Sequence, residues 1–197
     1  MSQPSFESIQ KARENIMNAL FEFYAVGKRG EMETKTIAAY AGYSNITSKH
    51  VRTALKQLKD SNFIRQSKGM MEMTEKGAQS MPKPEQVPSN HAMQTKLLAM
   101  LIKESAKAGA NLPPPEKIVA LFNFLLDGEV HEKKALAKRV GYSHDTKAFR
   151  NVIARMKAWG MLTGTSKVTL TNMAFPVEKR GEPFEPLSVS CSLTKEE

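Results

Sequence analysis

The sequence predicts a mainly α-helical chain with small β-hairpins, an α+β fold arranged as two domains in tandem. The stretch from Ala41 to Ile64, AGYSNITSKHVRTALKQLKDSNFI, returns in altered form from Val140 to Leu162 as VGYSHDTKAFRNVIARMKAWGML. Helical periodicity precedes each copy, and a short hairpin pattern follows it. Two copies within 197 residues indicate a tandem pair, because a solenoid needs three or more repeats.

The repeat is centred on Gly42-Tyr43-Ser44 in the first copy and Gly141-Tyr142-Ser143 in the second. With two single-residue gaps, the other aligned pairs are Ile37-Ala38 with Leu136-Ala137, Val51-Arg52 with Phe149-Arg150, Leu55 with Ile153, Leu58-Lys59 with Met156-Lys157, Phe63-Ile64 with Met161-Leu162, and Met73-Thr74 with Leu170-Thr171. Apolar positions align with apolar positions, so we expect one fold in both copies.

Three helices are expected in each copy, because apolar residues recur there at three- and four-residue spacing. In the first copy the segments are ENIMNALFEFYAV (14–26), METKTIAAYA (32–41), and a third helix that buries Val51, Ala54, Leu55 and Leu58. In the second copy they are EKIVALFNFLLDG (116–128), EKKALAKRV (132–140), and a third helix that buries Phe149, Val152, Ile153 and Met156. Ser44 or Asn45 is expected to cap the third helix of the first copy.

A β-hairpin is expected after each third helix. In the first copy the strands are NFIRQ (62–66) and MMEMT (70–74), joined by the turn Ser67-Lys68-Gly69. In the second copy the strands are MLTG (161–164) and VTLT (168–171), joined by Thr165-Ser166-Lys167.

The segments outside the repeats set the domain boundaries. SMPKPEQVPSN carries three prolines, which prevent a continuous helix and indicate a linker. An amphipathic helix follows with an apolar stripe, and the last residues show no sustained periodicity. We therefore expect a first domain over 10–80, a Pro-rich linker over 81–91, a connecting helix with the second domain over 92–174, and an acidic, partly disordered tail over 175–197.

The charge favours a polyanionic partner. The net charge is +9 and the pI is about 9.6. The excess of Lys and Arg follows the two repeats, whereas the tail has more acidic than basic residues. Nucleic acid is therefore the first candidate partner, and an anionic membrane is a weaker one.

Several other functions find no support in the sequence. No apolar run approaches the ~20 residues of a membrane-spanning helix, and the first residues lack the pattern of a secretory signal. We expect an intracellular protein, in the cytoplasm or nucleoid, or in the nucleus of a eukaryote. Cys191 is the single cysteine, and the four histidines lack metal-ligand spacing. Because no catalytic motif is present either, we expect neither an enzyme nor a cofactor.

The quoted stretches resemble a known family. VRTALKQLKDSNFI resembles the ending V-x-x-A-L-x-x-L-x-x-x-G-L-I of recognition helices in bacterial and archaeal winged-helix regulators, and MEMTEKGAQ resembles the closing L-T-x-x-G of the wing. The first copy departs from the pattern with Asn62 at the glycine position. The second copy keeps Gly160 there but lacks the glycine after Leu170-Thr171. The resemblance implies two winged helix-turn-helix domains in tandem.

This resemblance implies double-stranded DNA binding through two recognition helices, as in a transcriptional regulator or a replication or partition factor. A helix with one buried face presents its polar face to the major groove. Arg52 and Arg150, near the middle of the two helices, are suited to grip guanine. The expected DNA-binding residues are Asn45, Thr47, Ser48, Lys49, Arg52, Lys56, Arg65, Lys68, His144, Thr146, Lys147, Arg150, Asn151, Arg155 and Lys167.

Alternatives remain open at this point. Winged helices also serve as scaffolds that bind protein partners instead of DNA. The apolar stripe of helix 92–108 packs on the second domain or forms a homodimer contact. The acidic tail is either disordered or shields a basic face from nonspecific DNA. Tyr43 and Tyr142 are expected to pack in the turn before the third helix, and Trp159 at the end of that helix.

Overall fold

The structure is a computed structural model that describes residues 4–25, 32–43, 46–82, 89–175 and 186–188. Its described residues form two compact units that divide between Pro88 and Ser89. Both units are mainly helical, and each contains one small antiparallel sheet of three strands.

In the first unit, the described elements alternate between helices and short strands. They are α1 (Phe6–Ala25), β1 (Met32–Glu33), α2 (Thr34–Tyr40), α3 (Lys49–Asp60), β2 (Ile64–Ser67), β3 (Met70–Met73) and the short α4 (Glu75–Gln79). The sheet order is β1-β3-β2. The expected helices and hairpin are present, and the sheet gains β1 as a third strand.

The core of the first unit lies mainly between α1 and α3. Ile16 and Phe23 of α1 are fully buried, as are Val51 and Leu58 of α3. Each such side chain contributes roughly 1.5–3 kcal/mol when it leaves water. The apolar faces predicted for these helices therefore set their packing.

The strand β1 corrects the expectation that the second helix begins at Met32. Met32 pairs with Met71 and Glu33 with Met70, and only then does α2 begin at Thr34. The same correction applies in the second unit, where His131 and Glu132 form a strand. Two residues are too few to show an alternating pattern, so the sequence carried no signal for these strands.

The first hairpin turns more tightly than expected. Ser67 pairs with Met70 inside the ladder, which leaves only Lys68 and Gly69 in the turn. Both have positive φ, 47° for Lys68 and 81° for Gly69. Two such residues make a type I′ turn, whose twist matches that of the flanking strands.

The second unit repeats this order after an additional helix. Its described elements are α5 (Asn90–Ala108), a 3-10 helix (Gly109–Asn111), α6 (Pro115–Leu125), β4 (His131–Glu132), α7 (Lys133–Arg139), α8 (Lys147–Ala158), β5 (Leu162–Thr163), β6 (Lys167–Leu170) and a second 3-10 helix (Asn172–Ala174). The sheet order is β4-β6-β5. Lys167, expected in the turn, belongs to β6 and pairs with Glu132.

The helix α5 packs on the second unit. It contacts α6 and both 3-10 helices, and its apolar stripe is buried: Met93, Leu97, Leu98, Leu101 and Ile102. The interpretation of this segment as an extra helix of the second domain therefore holds. The alternative, a homodimer contact through helix 92–108, required this apolar stripe to be exposed, and the stripe is buried.

The Gly-Tyr pair at the centre of the repeat closes the second helix of each unit. Gly42 and Gly141 have positive φ, 88° and 72°. The amides of Tyr43 and Tyr142 then donate to the carbonyls of Ala38 and Ala137, at 2.8 Å in both units. This is a Schellman C-cap, in which glycine takes the left-handed position at no steric cost.

The third helices end in the same motif, and here the first unit uses an asparagine. Asn62 has φ 59° and Gly160 has φ 75°. The next amides, of Phe63 and Met161, donate to Leu58 and Met156 at 2.9 Å. Asn62 thus occupies the glycine position of the family pattern because asparagine tolerates left-handed backbone better than most residues.

The third helices begin later than expected. The first residue of α3 is Lys49, and Ser48 is its N-cap, without a side-chain capping hydrogen bond. Ser44 and Asn45, the expected caps, lie outside the described residues. Thr146 takes the equivalent position before α8.

Part of the C-terminal tail packs on the second unit. Leu187 is buried, its amide donates to Asn123 Oδ1, and its carbonyl accepts from Asn123 Nδ2, both at 2.9 Å. Asn123 thereby pairs with the main chain of Leu187 in both directions. The rest of the tail expected to be partly disordered, 176–185 and 189–197, lies outside the described residues.

Within the described ranges, no helix is long and apolar enough to cross a membrane.

Candidate nucleic-acid interface

The outward face of α3, the third helix of the first unit, is basic and exposed. Opposite its buried face, Lys49, Arg52 and Lys56 are exposed. Lys56 Nζ lies 3.6 Å from the carboxylate of Asp60, and both side chains are mostly in solvent. An exposed pair of this kind is worth little, so Lys56 remains available to a phosphate.

Arg52 occupies the middle of this face. Its side chain is exposed, and no ion pair involves it within the described part of the chain. Thr53 beside it donates its hydroxyl to the Lys49 carbonyl at 2.8 Å, which turns that group toward its own helix. A free guanidinium at this point can reach a base edge or a phosphate.

The start of α3 is only partly described. Thr47 is exposed and Ser48 half-buried, directly before the first helical residue. Asn45, the other expected contact, lies outside the described residues. The first backbone amides of a helix have no carbonyl partner within the helix and favour an anion.

The hairpin places two predicted residues at different points. Lys68 is exposed at the tip of the turn. Arg65 lies on β2 opposite Glu72, and its Nη1 donates to the Glu72 carboxylate at 3.2 Å. Lys68 is therefore free to reach a nucleic-acid backbone, whereas Arg65 is partly neutralised by Glu72.

In the second unit, the first turn of α8 resembles that of α3. Lys147 and Arg150 are exposed, and Thr146 and His144 are half-exposed. His144 Nε2 lies 3.3 Å from the Asp145 carboxylate, an acid that the first copy lacks. Arg150 matches Arg52 in position and exposure, as the alignment predicts.

Two other predicted residues of α8 are engaged inside the second unit. Asn151 Nδ2 donates to the carbonyl of Asn111 at 2.9 Å. Arg155 Nη2 lies 3.2 Å from the Glu104 carboxylate, and its guanidinium lies 5.8 Å from the Trp159 ring centroid. Both side chains remain partly exposed, but each has a partner in α5 or in the 3-10 helix after it.

The second hairpin carries one predicted residue and is contacted by a basic residue of α8, Lys157, that was not among the predicted residues. Lys167 is exposed on β6. Lys157 donates to the carbonyl of Gly164. Partial burial, together with the nearby ammonium of Lys133, lowers the pKa of Lys157 below its usual value. The basic residues that recur along α8 could have pointed to Lys157. The contacts of Arg155 with Glu104 and of Asn151 with Asn111 had no local signal, because these partners lie far from α8 in the sequence.

The tyrosines support the turns before the third helices, as expected. Tyr43 accepts a hydrogen bond from Asn15 Nδ2 at 3.1 Å and packs edge-on against His50. Burial raises the pKa of the Tyr43 hydroxyl, and this hydrogen bond opposes the shift. In the second unit, Lys117 Nζ lies 4.1 Å from the Tyr142 ring centroid. Trp159 is buried at the end of α8.

The two faces offer cations and hydroxyls, a composition that suits phosphate and base edges. Among the residues with described positions, no three His, Cys, Asp or Glu side chains cluster closely enough to hold a metal ion. Comparison with models of protein families, with curated proteins and with solved structures returned no match.

Proposed function

We propose that the protein binds double-stranded DNA through two tandem winged helix-turn-helix domains. Each unit places three helices before a β-hairpin, the arrangement that the winged-helix resemblance implies. The observation that carries the proposal is the outward face of α3, where exposed Lys49, Arg52 and Lys56 lie opposite a fully packed apolar face. A helix of this kind is stable without covering its basic face, so that face can meet DNA.

Electrostatics support a nucleic acid over other partners. The positive charge of the third helices is matched by exposed Lys68 and Lys167 on the hairpins. Each phosphate that such a cation neutralises releases a counterion, and this release drives binding at low salt. A transcriptional regulator and a replication or partition factor both use such binding, inside the cell.

Fluorescence anisotropy with a random-sequence duplex across a salt series tests the proposal. The wild type is compared with the double variant Arg52→Ala, Arg150→Ala. We expect binding whose log K falls with log salt at about −0.9 per neutralised phosphate. In the double variant, binding weakens and the slope becomes shallower by about two such contacts.

The matched control is Lys11→Ala, Lys103→Ala, which removes the same charge from exposed positions on α1 and α5. We expect it to bind much more like the wild type than the arginine variant does. Absence of binding even at low salt, or an arginine variant that binds as well as the control, would refute the proposal. Protein partners that survive nuclease treatment in pull-downs would then favour the scaffold function.

A further inference from the structure

We propose that α7 gives the second unit a further surface for nucleic acid, on which Lys134, Lys138 and Arg139 bind the backbone phosphates of a DNA duplex. This inference rests on the proposed DNA-binding function and extends it to a helix outside the predicted site. It arises from a difference between the second helices of the two repeats. The helix α2 is almost entirely buried, whereas α7 is exposed and basic.

Burial separates the two helices. Of the seven residues of α2, all except Lys35 are buried, whereas α7 buries only Leu136 and Ala137. Three buried positions of α2 align with three exposed positions of α7: Thr36 with Ala135, Ala39 with Lys138, and Tyr40 with Arg139. The second unit therefore presents a helix face to solvent that the first unit does not present.

This exposed face is basic. The sequence of α7 is KKALAKR, with four basic residues and no acidic one. Within the described part of the chain, no ion pair involves any of the four. The guanidinium of Arg139 lies 5.0 Å from the ring centroid of Phe124 and stays exposed. The acids nearest in the sequence, Glu129 and Glu132, both come before the helix.

The charges of α7 are poorly placed for the stability of the helix. Lys133 and Lys134 occupy the first turn, where the positive end of the helix dipole disfavours cations. Lys134 and Lys138 are four residues apart, a spacing at which like charges repel each other. Only Lys138 and Arg139, in the last turn, are favoured by the dipole. A bound polyanion would turn the unfavourable charges into favourable contacts, so binding explains them where folding does not.

The start of α7 adjoins the second hairpin and the end of α8. The Lys133 amide donates to the Ser166 carbonyl at 3.1 Å, and Lys157 of α8 donates to the Gly164 carbonyl of the same hairpin. Burial and then the ammonium of Lys133 lower the pKa of Lys157, so the two cations are neighbours. The basic surface of α7 therefore continues into the hairpin and the helix that the proposed function assigns to DNA.

The chemistry of this surface fits phosphates and not base edges. Lysine ammonium groups are compact point charges, and contacts of such groups with phosphate carry no sequence information. The helix is also short, about 10 Å at 1.5 Å per residue, which suits a contact along the backbone. We therefore expect α7 to add affinity for any duplex and to leave the choice of sequence to the third helices.

Fluorescence anisotropy with a random-sequence duplex compares the wild type with the double variant Lys134→Gln, Lys138→Gln. We expect the affinity at about 0.1 M salt to fall roughly 10- to 60-fold, and the slope of log K against log salt to become shallower by about 1.8, for two phosphate contacts. The variant removes repulsion within α7, so its urea midpoint, measured by Trp159 fluorescence, should equal or exceed that of the wild type.

The matched control is Lys103→Gln, Lys107→Gln, which removes the same charge at the same four-residue spacing from exposed positions on α5 of the same unit. We expect it to bind within about threefold of the wild type, because salt screens charges that do not contact the duplex. A second variant, Lys134→Arg, Lys138→Arg, keeps both charges and should bind as the wild type does.

Three results would overturn the inference: a glutamine variant of α7 that binds as well as the control, an arginine variant that binds as weakly as the glutamine variant, or a glutamine variant that unfolds at lower urea than the wild type. In each case, wild-type binding that weakens in Arg52→Ala, Arg150→Ala leaves the proposed function standing. If the wild type binds no duplex at low salt, the proposed function itself fails, and the role of α7 fails with it.

Discussion

Tyr40 couples the fold of the first unit to pH. Its side chain is buried, and its hydroxyl donates to the Glu22 carboxylate at 2.6 Å. Burial, followed by the charge and the hydrogen bond of Glu22, raises the pKa of Tyr40 far above its ordinary value of 10.0. The folded protein therefore keeps this proton at pH values where the unfolded chain releases it.

The raised pKa of Tyr40 determines how the free energy of unfolding changes with pH. The stability that Tyr40 contributes is complete below pH 10 and declines as pH rises above it, by about 1.4 kcal/mol per pH unit. Tyr40→Phe should lower the free energy of unfolding by about 1–3 kcal/mol at pH 7, because Glu22 loses a hydrogen-bond donor. Urea unfolding followed by circular dichroism should show this gap narrowing between pH 9.5 and 11. A gap that stays constant over that range would contradict the prediction.

Gly77 is a residue that the sequence pattern singled out and whose reason the structure supplies. It is the glycine of the L-T-x-x-G pattern in the first unit, and a Cβ there would lie 2.2 Å from the Phe63 carbonyl oxygen. The second unit has Ala174 at the matching position and forms a 3-10 helix there instead of α4. The pattern marked the glycine, but only the close approach of Phe63 explains it.

At the scale of elements, the C-caps of α3 and α8 are a matched pair. Both use a left-handed residue, Asn62 in one and Gly160 in the other. In both, a threonine hydroxyl from the end of the hairpin donates to the carbonyl of that residue at 2.7 Å, from Thr74 and Thr171. The caps therefore differ mainly in the side chain at the left-handed position.

Exchanging the two residues should shift stability in opposite directions. We expect Asn62→Gly to raise the free energy of unfolding by up to about 1 kcal/mol, because glycine removes the Cβ strain of a positive φ. Gly160→Asn should lower it by a similar amount. Circular dichroism reports the first change, and the fluorescence of Trp159, the only tryptophan, reports the second.

The neighbouring position provides the control. Ser61 has φ −79°, in the right-handed region, where glycine brings no relief from strain. Ser61→Gly should therefore lower the free energy of unfolding slightly, because glycine costs backbone entropy. If Asn62→Gly and Ser61→Gly behave alike, strain at Asn62 is not the reason for the difference between the caps.

The sequence predicted the elements with long periodic patterns and missed those that depend on distant partners. The helices α1, α3, α6 and α8 follow from apolar spacing, and the two-strand hairpins from their turns. The strands β1 and β4 are invisible locally, because their pairing with β3 and β6 defines them. The same distinction applies to the candidate site. The exposed faces of α3 and α8 were predicted, whereas the contacts of Asn151 with Asn111 and of Arg155 with Glu104 were not.

At the scale of the whole molecule, Leu187 makes part of the tail a structural part of the second unit. Leu187 is buried and lies far along the chain from its partner Asn123. We expect Leu187→Ala to lower the free energy of unfolding by about 2–5 kcal/mol, as for other buried leucines. Trp159 fluorescence during urea unfolding measures the change. Val130→Ala is the control, because Val130 is 61% exposed in the same unit and should change stability little. Equal stability of the two variants would show that Leu187 is not packed.

This packing changes how the shielding role predicted for the acidic tail has to be tested. Deleting the residues beyond Val177 removes the negative charge, but it also removes Leu187 from the core. Replacing Glu178, Glu182 and Glu185 by glutamine removes charge and keeps Leu187. Under the shielding hypothesis, nonspecific DNA affinity rises in this triple variant. Unchanged affinity would remove that hypothesis.

The contact of Glu104 and Asn111 with α8 also has a consequence for engineering the chain. Transplanting the outward residues of α3 onto α8 would preserve the buried face and the caps, so such a chimera should fold. Thr53 and Gln57 align with Asn151 and Arg155, so the chimera would lose the hydrogen bond to Asn111 and the ion pair with Glu104. The stretch between α5 and α6 therefore limits which side chains suit α8, and the repeat alone does not reveal this.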